Sequence, residues 1–121
     1  TNTLFHKIRD GEIPSHTVFE NENVLAFLDI NPATKGHTLI IPKKHYKGLL
    51  DCPNEVFSEL VDVAQRLGSH YKDVLGCDGF NLVQSTGEAA EQEIEYIHLH
   101  LIPRYHEGEF KNGIAVQTMP T

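Results

Sequence analysis

The segment from Ile94 to Arg104 carries two histidines, His98 and His100, separated by one apolar residue. In a β-strand successive side chains point to opposite faces, so both imidazoles are predicted to lie on one face, about 7 Å apart along the backbone. Tyr96 is predicted to share that face, and the apolar residues between them line the other: Ile97, Leu99 and Leu101. One face is thus predicted to pack and the other to carry chemistry.

Three kinds of site could use a His-x-His pair on one strand face. The two rings could be ordinary hydrogen-bonded side chains of a sheet. They could both reach one cation, because alternate strand residues present ligand atoms to the same side. Alternatively, one imidazole could act as a nucleophile while the other helps to hold an anionic group. The pair alone leaves these alternatives open.

Composition and charge narrow the class of protein. The chain has 121 residues, of which 40% are hydrophobic and 22% charged. This is typical of a soluble globular protein and predicts a single domain over residues 1–121, with a polar C-terminal tail at residues 106–121. The formal net charge of −7 argues against a nucleic-acid backbone as partner. A single nucleotide is compatible with it, because that ligand needs only a local set of donors.

The sequence shows no apolar run long enough to span a membrane and no N-terminal signal pattern. No membrane partner is therefore expected. The two cysteines, Cys52 and Cys77, lack the spacing of a metal site. Free thiols in a reducing compartment are expected, which predicts a cytoplasmic location.

Periodicity and turn residues predict the elements that position the histidines. A short helix is predicted from Leu4 to Asp10, capped by Thr3, and a long helix between Pro53 and Leu75. Five strands are predicted at His16–Glu20, Val24–Asp29, His37–Ile41, Gly79–Gln84 and Ile94–Ile102. This order predicts an α+β domain with a five-stranded antiparallel sheet. The long helix should cover the Leu99 and Leu101 side and leave the histidine side for a ligand.

Three segments, taken together, resemble a known family. They are Thr3–Ile8 with Glu12–Pro14, then Ala26–Pro32 with Gly36–His45, and finally His98–Arg104. In this order and spacing they resemble the histidine triad family, in its nucleotide-binding branch, over nearly the whole chain. The resemblance implies hydrolysis or transfer at the α-phosphate of a nucleoside monophosphate derivative, such as a phosphoramidate or a dinucleoside polyphosphate. The reaction would pass through a nucleotidyl-histidine intermediate.

The resemblance also implies roles for single residues. His98 falls on the family's nucleophile, His100 on the histidine that helps bind the transferred phosphate, and His37 on a fourth histidine close to them. Asp29 matches the acid that binds the ribose hydroxyls, and Gln92 matches a polar residue of the phosphate loop. An apolar slot around the base is matched by Phe5, Ile8, Phe27 and Ile30, with Leu39 beside it. A purine nucleotide or its conjugate is the implied ligand and a homodimer the implied assembly. No metal or cofactor is expected.

The chain departs from the family pattern at three positions near the expected phosphate. Tyr96 stands at the first triad position, where a phenol stays neutral at pH 7 but still makes hydrogen bonds. Ser85 replaces a usual asparagine, and Glu91 replaces a usual glycine beside Gln92. The loop is also distinctly acidic. A carboxylate beside a bound phosphate weakens binding unless it points away or a cation intervenes.

Two alternatives to the enzyme follow from these observations. The departures at Tyr96, Ser85 and Glu91 allow a nucleotide-binding or scaffolding protein with weak or no turnover. The His98 and His100 pair allows a metalloenzyme of the small jelly-roll type. The long mid-chain helix fits such a barrel badly, and no third ligand lies at a suggestive spacing.

Overall fold

The computed structural model describes residues 3–109. Its elements are helix α1 (Leu4–Arg9), strands β1 (Thr17–Glu20), β2 (Val24–Leu28) and β3 (Thr38–Pro42), helix α2 (Asn54–Leu75), strand β4 (Gly79–Val83), a 3₁₀ turn (Glu88–Ala90) and strand β5 (Leu99–Arg104). The strands form one sheet in the order β1-β2-β3-β5-β4, and every neighbouring pair is antiparallel. The predicted α+β class and five-stranded antiparallel sheet are confirmed.

Helix α2 covers one face of the sheet. Its buried residues include Leu60, Val63, Ala64, Leu67 and Tyr71, which pack against Val24, Ala26, Ile40, Leu99 and Leu101. Pro53 stands at the N-cap and Gly76 ends the helix with a φ of 70°, as their residue types favour. The prediction that the long helix covers the Leu99 and Leu101 side of the last strand is confirmed.

Helix α1 lies over part of the opposite face. A capping box begins it, in which the Thr3 hydroxyl accepts from the backbone N–H of His6 and His6 Nδ1 accepts from the N–H of Thr3. Phe5 of this helix joins a second buried cluster with residues of β2, β3 and the segment before β5: Leu25, Phe27, Leu39, Ile41 and Tyr96. Phe5, Phe27 and Leu39 of this cluster line a cleft that opens on that face.

Strand β5 begins at Leu99, five residues later than predicted, and continues to Arg104. The last residue pair between β5 and β3 is Leu99 with Ile40, and the last pair between β5 and β4 is His100 with Val83. Further pairing is blocked because Pro42, at the end of β3, has no N–H to donate. The residues before β5 therefore turn away, and the N–H of Ile97 donates to the carbonyl of Tyr46 at 2.8 Å.

The structure also bears on the predictions for membrane spans, cysteines and the C-terminal tail. Within residues 3–109, no helix is long and apolar enough to cross a membrane. Cys52 and Cys77 are both free thiols. Of the predicted C-terminal tail at residues 106–121, the part from 110 onward lies outside the described residues.

Candidate functional site

A cleft of about 470 Å³ opens beside helix α1, the loop after β2 and the loop before β5. This volume is within the range of small-molecule sites. Both histidines of the His-x-His pair line it, with ring centroids 4.9 Å apart. Of the other predicted site residues, the following also line it: Phe5, Ile8, Phe27, Asp29, Ile30, Leu39, Ser85 and Gln92.

His98 stands immediately before β5 and has one ring nitrogen fixed by the backbone. Its Nδ1 lies 2.7 Å from the carbonyl oxygen of Tyr96, so Nδ1–H donates there. A neutral imidazole then keeps its lone pair on Nε2. The side chain is only 7% exposed, yet it lines the cleft. The geometry thus holds an unprotonated ring nitrogen at the cleft wall.

His37 and His100 form a directed pair beneath the cleft. The backbone N–H of Ala33 donates to His37 Nδ1 at 3.0 Å, so a neutral His37 carries its proton on Nε2. That Nε2 lies 2.9 Å from His100 Nδ1 and donates to it. His100 in turn must carry its proton on Nε2. The cleft is therefore offered an N–H donor from His100 and an acceptor nitrogen from His98.

Burial keeps the three histidines neutral. It lowers the pKa of His100 to about 3, helped by the neighbouring rings of His98 and His37. Burial also lowers the pKa of His98, against the Tyr96 carbonyl and the charges of Asp29 and Glu93, which favour protonation. For His37 burial again lowers the pKa, opposed by Asp29. A neutral imidazole is the nucleophilic form.

Asp29 follows β2 and uses its two carboxylate oxygens differently. Oδ1 accepts from the N–H of Asn31 at 2.9 Å, which closes a turn of the kind that Asp favours. Oδ2 lies 3.6 Å from His37 Nε2 and the residue lines the cleft. The carboxylate is thus both a turn cap and a hydrogen-bond acceptor at the cleft.

Aromatic and aliphatic side chains form the apolar wall. The Phe5 ring stands edge-on to Phe27, with centroids 5.7 Å apart, and edge-on to His98 at 4.9 Å. Both phenylalanines are buried, whereas Ile30 is 84% exposed at the rim. Flat apolar surfaces of this kind suit the faces of a heteroaromatic base.

Tyr96 does not line the cleft, which corrects its prediction as a nucleotide contact. Its side chain is fully buried in the cluster around Phe5. Its hydroxyl donates to the carbonyl of Pro42 at 2.6 Å, and the carbonyl of Lys43 lies 3.1 Å away. His45 and His6 pack on its ring. The buried side chain anchors Tyr96, whose own backbone carbonyl accepts from His98 Nδ1–H and so orients that ring.

Gln92 lines the cleft, but its side-chain amide is engaged in fixing the loop. Nε2 donates to the carbonyls of Lys47 and Ile94, at 2.7 and 3.0 Å, and Oε1 accepts from the N–H of Gly87 at 2.8 Å. Glu91, next to it, adopts a φ of 65°, the left-handed conformation that favours glycine. Gln92 was predicted to contact phosphate, and the structure shows that its side chain also holds the loop in place.

Several lining residues were not among the predicted site residues, although Glu91 was expected near the phosphate. They come from α1 and the segment after it, from the end of β2 and the loop that follows, and from the loop before β5: Leu4, Ile13, Pro14, Ser15, Leu28, Asn31, Glu91, Glu93 and Ile94. Leu4 had a usable signal, because it stands four residues before Ile8 on the same helix face. Nothing in the local pattern around Ile13 or Ile94 indicates a cleft.

One group of side chains has atoms close enough to share a cation. Ligand atoms of Asp29, His37 and His100 lie within 4.8 Å of one another, and the group differs from the His98 and His100 pair suggested by the sequence. His37 fits a metal poorly, because its one lone pair accepts the Ala33 N–H. A cation at Nε2 would have to break that bond.

Comparison with known proteins identifies the family of this chain. A sequence profile of the HIT domain matches residues 10–107. The chain belongs to the HIT family. This confirms the resemblance to the histidine triad family indicated by the three motif segments.

Individual HIT proteins are similar over most of the chain. A HIT-like protein of Methanocaldococcus jannaschii is 46% identical over 106 residues, which cover 88% of this chain and 81% of that protein. The adenosine 5'-monophosphoramidase of Saccharomyces cerevisiae is 41% identical over 113 residues, covering 93% and 67%. The crystal structure of a HIT family protein from Bacillus anthracis superposes with a TM-score of 0.87 at 44% identity, covering 93% and 79%.

Proposed function

We propose that this HIT protein hydrolyses nucleoside monophosphate derivatives at the α-phosphate, with His98 as nucleophile. The observation that carries the proposal is the hydrogen bond from His98 Nδ1 to the Tyr96 carbonyl, which leaves Nε2 unprotonated in the cleft. Burial that lowers the pKa of His98 keeps the ring neutral at pH 7. A phosphoramidate is the preferred substrate class, and the yeast relative is named for that activity.

The reaction would proceed in two displacements. The His98 Nε2 lone pair forms a bond to the α-phosphorus while the phosphorus–nitrogen bond breaks. The leaving nitrogen keeps that electron pair and takes a proton from solvent. A water molecule then attacks phosphorus, breaks the bond to Nε2 and returns one proton to solvent. The products are a nucleoside monophosphate, an amine and neutral His98.

The neighbouring residues supply binding and orientation. His100 Nε2–H can donate to a non-bridging oxygen as charge develops there, and the His37 bond holds that proton on Nε2. The free oxygen of Asp29 can accept from ribose hydroxyls. The apolar wall of Phe5, Phe27 and Ile30 can hold a purine. The cleft volume of about 470 Å³ is sufficient for a mononucleotide.

Release of AMP from adenosine phosphoramidate tests the proposal. We expect turnover by the wild type and a loss of roughly a thousandfold or more in His98→Ala. His70→Ala is the matched control, because His70 is exposed on α2, on the other side of the sheet. Rapid quenching followed by mass spectrometry should find one nucleotidyl group on the wild type and none on His98→Ala. Equal rates in the two proteins would reject the nucleophile.

A second candidate function is nucleotide binding with little turnover. It is favoured by Glu91 and Glu93, two acidic residues that line the cleft that the phosphate would enter. Calorimetric binding of AMP without turnover of any phosphoramidate or dinucleoside polyphosphate would support it. Rapid multiple turnover at micromolar protein would dismiss it.

We also propose that the protein forms a homodimer through α2 and the β4 edge of the sheet. Exposed apolar side chains occur on both elements, with Val74 at 58% and Leu82 at 47% exposure. Strand β4 is an outer strand of the sheet, and an unpaired edge can associate with another chain. Light scattering after size-exclusion chromatography should give twice the mass of one chain, and Leu82→Lys should reduce it to one.

A further inference from the structure

Acidic side chains are the charged residues that line the cleft within the described part of the chain. Asp29, Glu91 and Glu93 line it, and none of its lining residues within the described range 3–109 is a lysine or arginine. Its two histidines, His98 and His100, are held neutral by burial that lowers the pKa of each. The walls formed by these residues therefore present a net negative charge to a ligand, although the proposed substrate is itself an anion.

The loop that carries two of these carboxylates is held in a defined position. Gln92 ties it to the carbonyls of Lys47 and Ile94 and accepts from Gly87. Glu91 and Glu93 flank this anchor, and both reach the cleft. Glu91 does so from a left-handed backbone conformation, with a φ of 65°. The two charges thus belong to the cleft wall itself.

The acidic wall lies close to the reacting atom. Burial is the main influence that lowers the pKa of His98, and the negative charge of Glu93 acts on the same ring in the opposite direction. The His98 side chain is only 7% exposed, and within residues 3–109 its Nε2 has no hydrogen-bond partner. A group that leaves the phosphorus departs on the side opposite Nε2 and so moves through the same cleft, which Glu91 and Glu93 also line.

We infer that Glu91 and Glu93 select substrates whose leaving group is an amine bearing a second, cationic ammonium group. The inference rests on the proposed attack of His98 at the α-phosphorus. An ammonium group is attracted by both carboxylates and can donate to them. A polyphosphate leaving group brings further negative charge to the same wall and is repelled. Dinucleoside polyphosphates are therefore the poorer substrates of this protein.

Three adenosine monophosphate conjugates that differ only in leaving-group charge test the inference. They are the diaminobutane phosphoramidate, which keeps a free ammonium group, the pentylamine phosphoramidate, which is neutral and of similar length, and a diadenosine polyphosphate. The readout is the ratio of kcat/KM for the diaminobutane conjugate to that for the pentylamine conjugate. A ratio removes effects that act on the common adenosine phosphate.

The expected ratio follows from the strength of exposed charge pairs. Each carboxylate should contribute roughly threefold, so the wild type should prefer the cationic conjugate by about tenfold at low salt. The ratio should fall toward unity in Glu91→Gln/Glu93→Gln and in the wild type at high salt. Glu88→Gln is the matched control, because Glu88 is an exposed residue of the same loop that does not line the cleft.

The outcomes separate this inference from the proposed function. Hydrolysis of all three conjugates by the wild type without a charge preference overturns the inference and leaves the function standing. A preference that survives in the double variant overturns it as well. Magnesium that restores polyphosphate hydrolysis only when Glu91 and Glu93 are present assigns them to a cation and overturns it. No AMP release from any conjugate rejects the function itself. Binding of AMP by the double variant, at equal or higher affinity, shows that it is folded.

Discussion

His37 Nε2 lies 2.9 Å from His100 Nδ1, and this bond sets the proton positions of both rings. The N–H of Ala33 decides the direction of this bond, because it donates to His37 Nδ1 and leaves the His37 proton on Nε2. A backbone amide at the loop after β2 therefore determines which nitrogen of a cleft histidine is a donor. Since backbone N–H groups do not titrate near neutral pH, the arrangement is stable across that range.

Removal of His37 should impair chemistry more than binding. His37→Ala leaves His100 without the partner that fixes its tautomer, so we expect kcat to fall about 10- to 100-fold while KM changes little. His37→Gln, whose amide can still donate to His100, should lose less. Steady-state kinetics with adenosine phosphoramidate measures both constants, and His70→Ala serves as the exposed-histidine control. A large rise in KM with kcat unchanged would contradict the assigned role.

Tyr96 should matter for stability and not for nucleotide contact. Tyr96→Phe removes the hydroxyl that donates to the Pro42 carbonyl in a fully buried position, so we expect a loss of about 1–2 kcal/mol in the free energy of unfolding. AMP affinity should stay within about twofold, because the side chain does not line the cleft. Urea unfolding and calorimetry measure the two quantities. Tyr46→Phe, on a half-buried tyrosine outside the cleft, is the control. A tenfold loss of affinity would return Tyr96 to the binding site.

Glu91 should be a source of backbone strain. Its φ of 65° disfavours any residue with a Cβ. Glycine removes that strain, although its own unfolded-state entropy offsets part of the gain. We expect Glu91→Gly to be about 0.5–1 kcal/mol more stable than Glu91→Ala, which keeps the Cβ. Thermal and urea unfolding of the pair measure the difference, and equal stability would show that the loop relaxes freely.

Stability should decline on the acid side of neutrality. Burial lowers the pKa of His37, His98 and His100, the last to about 3. Each ring then binds a proton more readily in the unfolded chain, where its pKa is about 6.5. The contribution to stability is complete above that value and is lost progressively as pH falls from about 6.5 toward the lowered pKa of the folded state. The slope reaches about 1.4 kcal/mol per pH unit for each proton taken up on unfolding.

Urea unfolding across pH measures this slope. The midpoint should be flat from about pH 7 to 8 and fall steadily below about pH 6.5. His100→Gln, which removes one titrating ring, should show a shallower decline. A midpoint that falls only below about pH 4, where carboxylates titrate, would contradict the buried-neutral assignment.

Local patterns were sufficient for most of the architecture. The helical period of α2, the Thr3 cap, Pro53 and Gly76 depend on residues within a few positions of one another, and the structure agrees with each of them. The two-residue alternation likewise placed Leu99 and Leu101 under α2 and brought His98 and His100 to the other side. Local geometry constrains such features because the interacting groups are neighbours in the chain.

The remaining features depend on contacts between distant segments. The start of β5 is set by Pro42 on the neighbouring strand, and the burial of Tyr96 by carbonyls at the end of β3. The position of the proton on His100 depends on His37, 63 positions earlier. The Gln92 side chain donates to the carbonyl of Lys47, 45 positions earlier. Residue types alone determined that two imidazoles would point to the same side of the sheet, away from α2. Only the folded chain decides which nitrogen carries a proton, because that choice is made by hydrogen-bond partners that tertiary packing brings together.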